Sequence, residues 1–475
     1  MNKKTKKQKK IFLIYPPSPV MNREDRCQQP TKDLLVIPPL PPMDLMYLAA
    51  IAEKAGLEAK IVDYSLIKDA KEQFEKDLKN FKPDYLLINA ASTTFQTDLS
   101  VLNKAKKILP EIITIAKGAH FLTENTDLLY KYKFLDLIIV GEAEDTLKEI
   151  LKEKKPYEDI KGLCYREGFA ARFTGIRPFI KNLDKLPFPA RHLVDNNLFR
   201  RPDNNKTQAI IKVSRGCPYN CFFCLATSVS GSNVRTRSPE NIIEEIKECV
   251  EKYNITNFLF WSDIFNLEKD WVIDLCEKIT ESGLKIIWSA NSRADTADLE
   301  MAKLMYDAGC RLVSIGVESG SQYILDKIGK KITLEKIRET VKIFKEARIK
   351  IYNYFVIGLP WDTEDTIKKT VEFAIRLDSN FVSFYTATPL PGTRFYKFAK
   401  EKNLLDNKIS WEGAYYEPII PTMCLSRERV FELHKEAIRK FYLRPKFILK
   451  TLLNIRSFTE IKNYFKAGIG ILLRK

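Results

Sequence analysis

The stretch Ala209-Ile210-Ile211-Lys212-Val213-Ser214-Arg215-Gly216-Cys217-Pro218-Tyr219-Asn220-Cys221-Phe222-Phe223-Cys224 decides how this chain is organised. Its first five residues are a short, mostly apolar run ended by polar and glycine residues, which reads as a buried strand. Three cysteines at C-x3-C-x2-C spacing follow at once. Cysteine thiolates hold iron–sulfur clusters, and a [4Fe–4S] cluster takes four ligands. Only three occur in the segment, with no histidine, so a cluster here keeps one iron open to an exogenous ligand. Zinc is the competing reading, but a closed zinc site wants four protein ligands, usually in paired C-x2-C sets. No second pair is present.

Downstream, apolar runs at 257–261, 285–290, 311–317, 350–357 and 381–387 read as strands. Amphipathic stretches near 239–253, 268–282, 296–308, 333–347, 363–377 and 393–402 read as helices between and after them. Six βα units in a row predict a parallel barrel short of eight strands, with its chemistry at the carboxyl ends of the strands. The cysteines directly follow the first of those strands.

Upstream, short apolar runs at 11–15, 58–63, 85–89, 112–117 and 135–140 alternate with amphipathic stretches such as 45–54 and 99–109. This predicts an α/β domain over 10–154, Rossmann-like, with a doubly wound parallel sheet. No G-x-G-x-x-G follows its first strand, which weakens a dinucleotide reading. Residues 155–206 read as a connector holding a hairpin at 163–166 and 171–174, and 207–425 as the barrel. Residues 426–475 read as a helical tail. In it Ile448, Leu452, Ile455, Phe458, Ile461, Phe465, Ile469 and Leu472 form one apolar stripe at three- and four-residue spacing.

Bulk properties fit this division. At about 150 residues per domain, 475 residues suggest two or three domains. No apolar run approaches the roughly 20 residues of a spanning helix, and no secretory signal follows the lysine-rich start. The net charge of +17 is concentrated at the ends: six lysines lie in 1–10, and eleven Lys and Arg face two Glu in 435–475. The central body is nearly balanced, so no nucleic-acid partner is expected. The basic ends and the apolar stripe fit either an anionic membrane surface or a helix packed on the barrel with a solvated basic face. Of nine cysteines, the six outside the motif read as buried small hydrophobes in a reducing compartment. The expected location is cytoplasmic, at most peripheral at the inner membrane face.

The cysteine segment resembles the defining C-x3-C-x-aromatic-C motif of the radical S-adenosylmethionine (SAM) superfamily. That resemblance implies that Cys217, Cys221 and Cys224 hold a [4Fe–4S] cluster and that SAM chelates the open iron. Further strand-end segments match it. Ser314-Ile315-Gly316-Val317-Glu318-Ser319-Gly320-Ser321 is similar to the family's ribose-contacting element. Trp288-Ser289-Ala290-Asn291-Ser292-Arg293 offers a partner for the SAM carboxylate, and Trp261-Ser262-Asp263 ends the second strand. The implied SAM contacts are Phe223, Asp263, Arg293 and Glu318. Asp263 stands alone where related proteins often show two Asp, and Trp361 stands where Gly is common.

The whole arrangement resembles the cobalamin-binding subgroup of that superfamily. That subgroup includes hopanoid-associated proteins and the anaerobic magnesium-protoporphyrin monomethyl ester cyclase. The carriers are Tyr15-Pro16-Pro17, Ala91-Ser92-Thr93-Thr94, Lys117-Gly118-Ala119-His120 and Gly141-Glu142-Ala143-Glu144, each at a strand end of the first domain. The implied cobalamin contacts are Pro17, Ser92, Thr94, Gly118, His120, Gly141 and Glu142, with Lys117 either crowding the site or pairing with the cofactor phosphate. No D-x-H-x-x-G motif occurs, so no protein histidine is expected below the cobalt. The implied activity is reductive SAM cleavage and modification of an unactivated carbon of a hydrophobic, lipid- or tetrapyrrole-like metabolite, by methylation or another radical outcome. An electron donor such as flavodoxin or ferredoxin is implied. A tRNA methylthiotransferase shares the two-domain plan but carries three further cysteines in its first domain, where this chain has only Cys27 within 1–150. A zinc-stabilised nucleic-acid module and a corrinoid carrier without radical chemistry are the non-enzymatic alternatives.

Overall fold

The structure is a computed structural model. It describes residues 7–30, 39–123, 125–201, 204–405, 411, 417–453 and, beyond these, 455, 461, 463–465 and 468–470. β1 (Lys10–Tyr15) leads into a hairpin of β2 (Met21–Glu24) and β3 (Cys27–Pro30). β4 (Glu58–Asp63), β5 (Tyr85–Asn89), β6 (Ile113–Lys117), β7 (Leu137–Ile139), β8 (Leu163–Glu167) and β9 (Ala170–Phe173) follow. All but the hairpin form one sheet in the order β4-β1-β5-β6-β7-β8-β9. It is parallel through β7 and antiparallel after it. Helices Met43–Lys54 and Glu144–Lys152 bury apolar stripes on one face. Ala70–Phe81, Phe95–Ile108 and Thr126–Lys131 do so on the other. Strand addition reverses between β1 and β5, and the crevice outside their carboxyl ends is where such sheets bind ligands.

The second sheet runs β10 (Gln208–Lys212), β13 (Asn257–Trp261), β14 (Ile287–Ser292), β15 (Cys310–Glu318), β16 (Lys350–Ile357), β17 (Phe381–Thr386), every neighbour parallel. β10 and β17 are its edges, so it is a partial (β/α)6 barrel. Between β10 and β13 the short β11 (Ser214–Arg215) and β12 (Arg235–Thr236) pair antiparallel and close the cysteine loop. Alternate strand residues such as Val313, Ile315, Ile351 and Phe355 pack outward against the surrounding helices. Helix Arg427–Tyr442 docks against β17, where the Tyr442 side chain bonds the Val382 backbone.

Several elements differ from the sequence expectation for physical reasons. The hairpin expected in the connector pairs with β7 and continues the first sheet past residue 154. The helix expected at 99–109 begins at Phe95, because Asp98 turns back to accept from the Ala91 N–H (3.0 Å) and the Thr94 hydroxyl (2.7 Å). β14 starts at Ile287, because the Ile286 N–H bonds the Leu284 carbonyl in a turn. After Tyr442 a short helix, Pro445–Leu453, leaves Ile448, Leu449, Leu452 and Leu453 exposed. Of the apolar stripe, Phe458 and Leu472 lie outside the described residues.

Candidate functional site

The cysteine loop leaves β10 at the carboxyl end of the barrel and is pinned from several sides. Gly216 sits at φ +108°, and a Cβ there would stand 2.1 Å from the Asn233 carbonyl oxygen, so only glycine fits. Its N–H donates to Asp263 Oδ2 at 2.7 Å. The Cys217 N–H bonds Gly231 O, and the Phe222 N–H bonds Ile328 O, both at 3.0 Å. Phe222 packs among Trp361, Phe395 and Phe398, so Trp361 serves as a wall of the loop's aromatic anchor. Phe223 packs, part-buried, against the barrel core.

Of the residues assigned to SAM from sequence, Asp263, Arg293 and Glu318 all surround this loop. Asp263 bridges it to Arg26 of the β2–β3 hairpin (Oδ1 to Nε, 3.2 Å). Arg293 is buried, pairs with Asp295 at 2.7 Å, donates to the Lys330 carbonyl and lies 3.6 Å over the Tyr219 ring. Glu318 takes a left-handed φ of +69° at a bulge in β15 and accepts from Lys330 Nζ at 2.8 Å. Sequence reading did not single out Lys330. It is buried, and although burial alone would depress its ammonium, the neighbouring Glu318 carboxylate and Cys221 thiol outweigh that and raise its pKa.

The carboxyl edge of the first sheet is built on charge. The β2–β3 hairpin covers it and drives Arg23 into a fully buried pair with Asp98 (2.7 Å). Arg23 also donates to the Asn89 carbonyl at 3.1 Å. Lys117 is held between Asp25 (3.1 Å) and Asp44 (3.0 Å). Burial would lower its pKa, but the two carboxylates raise it instead. Ser92 is buried and its N–H donates to Gln28 at 2.7 Å. Thr94 bonds Asp98, and His120 stacks on Phe95 with centroids 4.0 Å apart. Pro17 is buried in the loop after β1. Gly118 is glycine because a Cβ would stand 2.1 Å from the Ala90 carbonyl oxygen, whereas the Cβ position at Gly141, φ +87°, is open.

These two edges face one another across an open cleft. Lys117, Gly118, Gly141 and Glu142 line one wall, and Ser214, Arg215, Trp261 and Asp263 the other. A clasp closes its rim. Arg215 pairs with Glu142 (3.0 Å) and Glu144 (2.6 Å), and Arg235 also pairs with Glu142 at 3.0 Å. Burial would raise the Glu144 carboxyl, but Arg215 outweighs it and holds the pKa down at about 2. Glu142, assigned to cobalamin from sequence, thus spends its carboxylate on the barrel's arginines and on the Ile180 N–H (2.7 Å).

Comparison with known proteins matches this architecture. Residues 211–374 fit the model of the radical SAM superfamily, and residues 37–151 that of the B12 binding domain. An uncharacterized methyltransferase of Pyrococcus horikoshii, PH0819, is 32% identical over 446 residues, covering 90% of this chain and 96% of that protein. The chain belongs to the radical SAM superfamily. This radical SAM protein is also 23% identical over 452 residues to the anaerobic magnesium-protoporphyrin IX monomethyl ester cyclase of Cereibacter sphaeroides, covering 90% and 72% of the two chains. Its fold superposes with a TM-score of 0.71 on the radical SAM methyltransferase TsrM of Kitasatospora setae, solved with cobalamin and a [4Fe–4S] cluster bound. That match is 16% identical and covers 98% and 100% of the chains.

A [4Fe–4S] cluster, SAM and cobalamin are therefore the cofactors of this radical SAM protein, and its side chains fit them. Burial pushes the Cys217 thiol up and the Cys224 thiol up to about 12. A coordinating metal reverses that penalty by deprotonating its thiols outright. The Ala226 N–H already points at Cys224 Sγ (3.4 Å), a donor suited to a thiolate. On the facing wall the open space over Gly141 lets a bulky planar cofactor approach the backbone closely.

Proposed function

We propose that this protein is a cobalamin-dependent radical SAM methyltransferase acting on an unactivated carbon of a hydrophobic metabolite. The observation that carries this reading is the cleft, which sets the loops after β6 and β7 opposite the cysteine loop. Cys217, Cys221 and Cys224 would hold the cluster, which would supply the electron for reductive SAM cleavage, and cobalamin on the facing wall would supply methyl-carrying chemistry. The chain's own part is to position and to exclude. Asp263 and Gly216 fix the cysteine loop, Arg293 clamps Tyr219, and the Glu318–Lys330 pair presents a carboxylate beside Cys221 for a ribose hydroxyl. Gly118 and Gly141 line the cobalamin side, backed by the buried Pro17, Ser92, Thr94 and His120, and the Arg215 clasp keeps the two sides in register. Electrons come from an external donor such as flavodoxin or ferredoxin.

The helix Pro445–Leu453 supports a substrate held at a lipid surface. Its exposed Leu449, Leu452 and Leu453 lie beside Lys446, while Lys450 pairs with Asp378 at 3.3 Å; an apolar face with a neighbouring cation suits a segment that rests on anionic headgroups. Among the described residues no helix is long and apolar enough to cross a membrane.

The test is anaerobic reconstitution with iron, sulfide, hydroxocobalamin, SAM and a reductant, followed by chromatography of the products. Formation of 5′-deoxyadenosine and S-adenosylhomocysteine by the wild type, and not by Cys221→Ala, is the expected result. Deoxyadenosine alone with substrate present would replace methyl transfer by a cyclase-like outcome. No deoxyadenosine, with zinc and no iron in the protein, would end the reading.

A further inference from the structure

The barrel interior is not uniform. Along β10 and β13 its inner side is filled by the first domain and the connector, since Ile210, and in part Leu259 and Trp261, pack into one core with Met46, Leu48 and Ala190. The inner wall along β15, β16 and β17 carries different residues. Ile351, Phe355, Val382 and Phe384 face the outer helices. By the two-residue period of a strand, Tyr352, Tyr354, Phe381, Ser383 and Tyr385 face inward.

Their contacts agree with that placement. The Tyr352 hydroxyl lies 2.6 Å from Ser383 Oγ. Ring centroids are 4.8 Å apart for Tyr352 and Tyr354, 5.9 Å for Tyr352 and Phe381, and 5.7 Å for Tyr354 and Tyr385. Tyr354 and Tyr385 keep part of their surface exposed although each lies within a strand. In register, Tyr354 sits beside Gly316, and a Cβ on Gly316 would stand 2.4 Å from Glu318 Oε1. The aromatic wall therefore runs up to the pair that stands beside the cysteine loop. Ser314, next to Tyr352 in register, adds a second small hydroxyl.

We infer that this wall is the substrate site, and that it selects a planar, unsaturated ring over a saturated aliphatic chain. Aromatic faces favour offset or edge contacts with another π-system beyond simple area burial. The inference rests on the reading of the cleft as a radical SAM active site and narrows its substrate class.

Equilibrium dialysis tests it on the full-length, cluster-loaded protein with SAM present. Indole-3-propionate and protoporphyrin IX serve as a small and a large planar probe, and palmitate as the aliphatic competitor. At least one planar probe should saturate the wild type, and palmitate in tenfold excess should fail to displace it. Tyr354→Ala and Tyr385→Ala should each weaken binding about tenfold or more. Tyr323→Ala, on the exposed outer surface, should bind as the wild type. Tyr385→Leu, which keeps apolar volume but loses the ring, guards against simple misfolding and should also bind weakly. Displacement by palmitate, unchanged affinity in the tyrosine variants, or no binding of either planar probe would overturn the inference. Deoxyadenosine and metal content measured on the same preparation separate the failures: cleavage without planar-probe binding defeats only this inference, and no cleavage with zinc and no iron in the protein defeats the radical SAM reading beneath it.

Discussion

The carboxyl edges of the two sheets face each other across one cleft, yet opposite chemistry builds them. The first edge is floored by ion pairs drawn out of water: Arg23 with Asp98, and Lys117 between Asp25 and Asp44. The barrel edge presents thiols, hydroxyls and aromatic rings, with its charges paired around the cysteine loop as Asp263–Arg26 and Glu318–Lys330. Buried ion pairs add little net stability over apolar packing, but losing one partner is costly. They therefore suit a surface that must keep one shape. A barrel mouth whose charges are all engaged in pairs leaves room for a reaction that needs water and stray nucleophiles kept away. The difference teaches that the cofactor-carrying side is rigid by charge and the reacting side is selective by shape.

That contrast can be broken at graded cost. The largest effect is expected from Cys221→Ala, which should cut deoxyadenosine formation by more than about 100-fold, above what outer-shell changes cost a metal site. Asp98→Ala strands the Arg23 guanidinium and should cost about 3–5 kcal/mol in denaturant unfolding, while Arg23→Met with Asp98→Leu together should recover much of it. A loss under about 1 kcal/mol would show that charge does not hold this edge.

The clasp gives a pH signature. The Glu144 pKa of about 2 lies below its ordinary value of 4.5, so its contribution is fully present above pH 4.5 and lost as pH falls through about 2. The wild type should exceed Glu144→Gln by about 3 kcal/mol near neutrality, with the gap closing across that window. A gap that does not change with pH would remove Arg215 as its cause. The smallest effect belongs to the solvated amino end of the first sheet. There Glu58→Gln breaks the exposed pair with Lys10 and should cost less than about 1 kcal/mol in the same assay.

Much of this was legible in the sequence, and the exceptions share a cause. Strands such as Glu58–Asp63, Asn257–Trp261 and Lys350–Ile357 lie where the apolar runs put them, because apolar residues between helices have one low-energy use. The cysteine loop was legible because its spacing is local. The β2–β3 hairpin was not. Met21-Asn22-Arg23-Glu24-Asp25-Arg26-Cys27-Gln28 alternates no apolar face, and its stability comes from partners as distant as Asp98 and Asp263. Lys330 was missed for the same reason, since nothing in Gly329-Lys330-Lys331 announces a buried ammonium beside Glu318. Arg293 and Glu142 follow the ends of β14 and β7, where the apolar runs place them. Their contacts with Asp295, Tyr219, Arg215 and Arg235 could be seen only once the strands were brought together.

The hairpin also sets an order in time. Glu24 is answered by Lys212 and Arg26 by Asp263, nearly two hundred residues or more further along the chain. A chain emerging from the ribosome can complete most of its first sheet, because domains fold as units in the order of synthesis. The hairpin tip must wait with its charges in water until the first two barrel strands have been made. The pocket for the large cofactor is therefore finished late, and only by a chain that has already committed to its second domain.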